Sequence, residues 1–229
     1  YELAFSYYQA GNWNKAIEGF RQIGGKEDSL AQNAMYLLGD AYLKTGQKAN
    51  ARNAFSLCAA NSSNPKQQEV SLYNYARLSY ELGYQDVALT ELQKFLATYP
   101  NSEYNNEARE LLVGMLANTN NYKDALVLLE SVKSPSASAR QLYPKILYGR
   151  ATELINDGML VTANDLLTRA EKDPNNAAVL PFINFWKGEI AYRLGRLDDA
   201  IRYYFEYLKS GAVNGEVNPV NAKYNLGYC

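Results

Sequence analysis

The sequence contains no histidine. That removes the commonest general base and metal ligand, and with it the Ser-His and Cys-His pairs that activate nucleophiles. Only two cysteines are present, Cys58 and Cys229. They are too few for a four-ligand zinc site without histidine, and they make no disulfide framework. No apolar run approaches the roughly 18 residues of a spanning helix, and no basic-then-apolar leader opens the chain. With 23 basic and 24 acidic residues, a net charge of −1 and no Lys/Arg cluster, no nucleic-acid partner and no membrane insertion are expected. Gly24-Gly25-Lys26 fails as a phosphate loop, because Phe20 and Glu27 stand where glycine and Ser/Thr are needed. Carboxylate pairs such as Asp198 with Asp199, or Glu107 with Glu110, read as solvated charge on helix faces. No catalytic residue, metal ligand or cofactor is expected.

What the chain does contain is a repeat. Alanines recur at 16, 51, 88, 125, 163 and 200, at spacings of 35, 37, 37, 38 and 37. Five residues before each stands Gly11, Gly46, Gly83, Asn120, Gly158 or Gly195, residues that accept a left-handed backbone. Four residues after each stands Phe20, Phe55, Leu92, Leu129, Leu167 or Tyr204. Seven before each joint stands Ala4, Gly39, Ala76, Val113, Ala151 or Gly188. Within one unit, Met35, Leu38 and Tyr42 share a stripe on a first helix, Ala51, Phe55 and Cys58 share one on a second, and Gly46 stops the chain between them. Such an αα-hairpin leaves one apolar face uncovered, so each needs the next. The fourth departs most, with Val113 at the small position, Asn120 at the joint and Gly114 inside a helix, and it is the expected bend or weak point.

These residues resemble the tetratricopeptide repeat, whose pattern is an aromatic, Leu-Gly, Tyr, Gly, Ala, a large apolar residue and a closing Pro. The closest segments are YLLGDAYLKTGQKANARNAF, from Tyr36, and FWKGEIAYRLGRLDDAIRYY, from Phe185. The resemblance covers essentially the whole chain. It implies an all-α fold, a right-handed solenoid of six hairpins with the start of a seventh, as a single domain over 1–229. Tyr1 falls where a first helix is already under way, and Cys229 comes before a joint, so a piece of a longer protein is expected. Phe95-Leu96-Ala97-Thr98-Tyr99-Pro100-Asn101-Ser102 is similar to repeat endings of envelope-associated bacterial members, which favours a periplasmic or cell-envelope location over the cytoplasm.

The implied function is that of a non-catalytic scaffold binding a protein or peptide partner in a concave groove lined by the first helices. Twenty tyrosines give that groove its character. Tyr36, Tyr73, Tyr148 and Phe185 lie three residues before the small position, and Tyr80 and Tyr192 lie seven residues after Tyr73 and Phe185, two turns along the same face. Glu110 interrupts the series. Asp40, Arg77 and Glu189, with Lys44, Glu81 and Arg193, mix charge signs along it. Packing against the next hairpin competes with partner contact at each of these positions. Members that clamp the carboxylate terminus of chaperones carry Lys where Tyr36, Tyr73 and Tyr148 stand, which disfavours that function. An aromatic-lined carbohydrate-binding module of the envelope is the alternative, and adjacent exposed rings flanked by Asn and Asp would favour it.

Overall fold

A computed structural model of the chain describes residues 1–23 and 28–229. The Gly24-Gly25-Lys26 run rejected as a phosphate loop lies outside the described residues. Thirteen helices are described, and they fall into the expected hairpins: α1 (Glu2–Gln9) with α2 (Trp13–Arg21), α3 (Ser29–Lys44) with α4 (Lys48–Ala60), and α5 (Pro65–Glu81) with α6 (Gln85–Thr98). Then follow α7 (Asn105–Asn118) with α8 (Tyr122–Glu130), α9 (Ala137–Asn156) with α10 (Leu160–Lys172), α11 (Leu180–Arg193) with α12 (Leu197–Ser210), and α13 (Pro219–Leu226). Among the described residues the only strand pairing is an isolated bridge between Asn214 and Val217. The chain divides into two compact units, residues 1–115 and 116–229, with the division inside α7.

The joint inside each hairpin is built the same way six times. Gly11, Gly46, Gly83, Gly158 and Gly195 have φ between 70° and 84°, and Asn120, the one non-glycine with positive φ among the described residues, has φ 59°. The N–H of the next residue bonds back to the carbonyl five residues earlier, as in Gln47 to Tyr42 (2.8 Å), Asn121 to Leu116 (2.8 Å) and Arg196 to Ala191 (2.8 Å). This is the six-to-one bond of a Schellman cap, which needs the left-handed residue to turn the chain. The repeated alanine then closes the first turn of the second helix, its N–H donating to the residue after the joint, as Ala51 does to Gln47 at 2.9 Å. All six alanines are fully buried.

The small-to-large spacing has an equally direct cause. A Cβ built at Gly39 would lie 2.8 Å from the Phe55 ring, and one at Gly188 would lie 3.0 Å from Tyr204. The glycine lets the large residue of the second helix lie flat against the backbone of the first. Gly149 does the same for Tyr122, a pairing between successive hairpins that the repeat pattern does not encode. By contrast, nothing lies within 4 Å of a Cβ at Gly114. Gly114→Ala should therefore raise stability by about 0.5–1 kcal/mol through helix propensity alone. An unchanged or lowered urea midpoint would show that the glycine has a structural use.

Turns between hairpins are held by polar side chains. First helices are capped by Asp28, Asn64, Ser136 and Asn218, whose side-chain oxygens accept backbone N–H groups at 2.7 to 3.2 Å. Such caps satisfy helix donors that have no intrahelical partner. Gln32, almost fully buried, donates to the carbonyls of Asn61 (2.6 Å) and Asn64 (3.1 Å) and accepts from the Asn64 N–H (2.5 Å). It fixes the turn after α4 from the preceding helix. Pro144 lies buried inside α9, where it withdraws the N–H that the Arg140 carbonyl would otherwise accept.

Candidate functional site

In residues 1–115 the face of interest is made by the first helices α1, α3, α5 and the start of α7. Their side chains are tied across hairpins. The Tyr8 hydroxyl donates to Asp40 at 2.6 Å, and the Tyr73 hydroxyl donates to Glu107 at 2.5 Å. Burial, and then the adjacent carboxylate, push both phenols well above the usual tyrosine range. Tyr1 and Asn33 bond to one another, and Gln67 donates to Asn33 at 2.6 Å. Lys48 of α4 pairs with Glu81 at 2.8 Å. Four hairpins are thus linked by side chains spaced about one repeat apart.

The expected site residues separate into three groups on this surface. Tyr73 is core: its ring is 3% exposed, stacked on Tyr104 at 4.7 Å and tilted against Phe95 at 5.6 Å. Asp40 and Arg77 are engaged within the fold. Asp40 accepts from Tyr8. Arg77 donates to Asn74 at 3.0 Å and lies 5.9 Å from the Tyr73 ring centre. Tyr36 and Tyr80 are half-buried, and neither hydroxyl has a hydrogen-bond partner among the described residues. The Tyr36 ring meets Phe55 edge-on at 6.3 Å, and burial raises its pKa. Glu110 is half-buried on α7.

Residues 116–229 repeat the arrangement on α9, α11 and α13. Trp186 donates its indole N–H to the Tyr148 hydroxyl at 3.2 Å, joining α11 to α9, and burial raises the Tyr148 pKa. Phe185 is core, 3% exposed and set edge-on to Trp186, Tyr204 and Tyr207. Glu189 is engaged three times: it accepts from Tyr204 (2.9 Å), Asn225 (3.0 Å) and Arg193 (2.7 Å). Tyr192 is half-buried with no hydrogen-bond partner among the described residues.

Two expected contact residues, Tyr73 and Phe185, are therefore corrected to packing residues. They occupy the same repeat position as Tyr36, but Tyr104 covers one and Tyr207 covers the other. Asp40, Arg77 and Glu189, expected to meet a partner, instead hold the fold's own hydroxyls and amides. The sequence reading also missed a cation site. Ser79, buried where the first two hairpins carry Tyr7 and Tyr42, accepts from Arg52 at 2.7 Å, and that guanidinium lies 4.9 Å from the Tyr75 ring and 4.3 Å from Tyr84. The small Ser79 beside Tyr75 and Tyr84 was the available signal. Among the described residues no three His, Cys, Asp or Glu gather as metal ligands, and no helix is long and apolar enough to cross a membrane.

The family described as Tetratricopeptide repeat matches residues 1–65 and 162–215, and a second model of that description matches residues 70–102. A tetratricopeptide repeat protein from Parabacteroides merdae ATCC 43184 is 19% identical, with a TM-score of 0.51 over 99% of this chain and 95% of that one. MamA from Desulfovibrio magneticus RS-1 is 18% identical, with a TM-score of 0.44 over 81% of this chain and 95% of that one. The C-terminal part of a TPR repeat-containing protein from Cytophaga hutchinsonii is 13% identical, with a TM-score of 0.43 over 91% and 78%. No curated protein matches the chain.

Proposed function

The chain belongs to the tetratricopeptide repeat family, and from that premise we propose that it is a non-catalytic scaffold that holds a protein or peptide partner on its first-helix faces. The observation that carries this reading is the state of the tyrosine series. Hydroxyls such as those of Tyr8 and Tyr73 are tied to neighbouring hairpins, whereas Tyr36, Tyr80 and Tyr192 stand half-buried with hydroxyls free. A surface whose side chains are already fixed loses little freedom when a partner arrives. Tyrosines with one apolar face and an open hydroxyl are good anchors for it.

Partner binding measured after pull-down should weaken by more than about 1 kcal/mol in Tyr36→Ala and in Tyr80→Ala, with the fold intact. Lys94→Ala is the control on the outer helices, since Lys94 is exposed and, among the described residues, pairs within its own helix, with Glu91. Lys48 is unsuited to that role because it reaches Glu81 on α5. If Lys94→Ala abolishes binding while both tyrosine variants bind normally, the second helices are the working surface.

The carbohydrate reading is supported by one place, the exposed rings of Tyr224 and Tyr228, 4.9 Å apart on α13 and beyond, with Asn221 and Asn225 nearby. Placement in the bacterial envelope is supported by the run from Phe95 to Ser102 alone.

A further inference from the structure

In residues 116–229, the turns that follow α8 and α10 come together at the start of α9 and border a half-open concavity of about 410 Å³. Leu129, Val132 and Ala139, all buried, line it together with Pro135. Its volume lies in the range of small-molecule sites, which combine an apolar lining with a few fixed polar groups. One wall is rigid. The Tyr143 hydroxyl donates to Glu130 at 3.1 Å, and the Arg169 guanidinium reaches both the Glu130 carboxylate and the Tyr143 oxygen.

Three charged side chains line the concavity, and two are engaged. Glu130 is neutralised by Arg169. Asp173 turns its carboxylate onto the backbone N–H of Asn175 at 2.8 Å. The third, Arg140, is exposed, and its guanidinium has no ion-pair or hydrogen-bond partner among the described residues. A planar cation beside an apolar wall suits a carboxylate attached to an apolar body.

We propose that this concavity binds a small organic anion, seating an aliphatic or aromatic body on Leu129, Val132, Pro135 and Ala139 and holding its carboxylate on Arg140. The concavity is half-open, and its volume of about 410 Å³ matches a small molecule. The site lies at the N-terminal end of α9 and its occupation does not depend on a protein partner.

The test is a titration of the whole protein with 3-phenylpropionate and, in parallel, with its neutral amide, followed by backbone NMR. Saturable shifts at Val132, Ala139 and Tyr143 are expected with the acid, with at least about tenfold weaker binding of the amide, the scale of one charge-assisted hydrogen bond. Arg140→Ala should reduce binding of the acid by the same factor, and, because Arg140 is exposed, leave the remaining spectrum in place. Equal binding of acid and amide, unchanged binding in the variant, or the absence of saturable shifts at these residues overturns the proposal.

Discussion

Phe185→Ala should lower the stability of the protein by about 3–5 kcal/mol, the usual effect of emptying an aromatic site in a packed core. The ring is 3% exposed, with its centre 5.3 Å from Tyr207, 5.4 Å from Trp186 and 5.7 Å from Tyr204. Three edge-on neighbours lose their partner at once, and each such aromatic pair adds roughly 0.5–1.5 kcal/mol beyond area burial. The urea midpoint should fall at an unchanged slope, the sign of altered stability without an altered unfolded state. Tyr192→Ala, seven residues on along the same helix, should move the midpoint little, because its ring is half-exposed and its hydroxyl is free. A Phe185→Ala variant that keeps its midpoint but loses partner binding would return this ring to the groove.

Glu171→Ala should be the more damaging half of an asymmetric pair, at about 3 kcal/mol, the low end for breaking a buried ion pair. Lys187 on α11 has a side chain 6% exposed, and its ammonium donates to Glu171 of α10 at 2.5 Å. Without that carboxylate the ammonium keeps, among the described residues, the Tyr203 ring, whose centre is 5.0 Å away. Glu171 itself is 32% exposed, which holds the expected loss to the lower end. Lys187→Met removes the charge and keeps the stem's volume, so it should be nearly neutral. Combining it with Glu171→Ala should recover most of the loss. Equal small effects of the two single changes would show that water reaches the pair.

The hairpin register was legible because it rests on sterics that a single residue type reveals. Only glycine or asparagine serves at a left-handed joint, and only a small residue admits Phe55 or Tyr204 against the facing helix. Those constraints act within about 16 residues, as between Gly39 and Phe55, so periodic spacing exposes them. The site was less legible because exposure depends on neighbours the repeat pattern does not mark, Tyr104 before the next hairpin in one case and Tyr207 on the facing helix of the same hairpin in the other. Tyr36, Tyr73 and Phe185 look alike in the repeat, yet Tyr104 and Tyr207 cover two of them. Gln32 gave no signal at all. Its use lies in backbone groups of a turn 29 and 32 residues away, whose need for partners the sequence does not show.

The side-chain bonds between hairpins also bear on how the protein is made. Tyr8 to Asp40 closes 32 residues, Tyr73 to Glu107 closes 34, Trp186 to Tyr148 closes 38, and the widest of these, Arg169 to Glu130, closes 39. Each is complete once a single further hairpin has emerged from the ribosome. Contacts this close along the chain favour rapid folding, and a growing chain need not wait for its distant end before the hairpins already synthesised lock together.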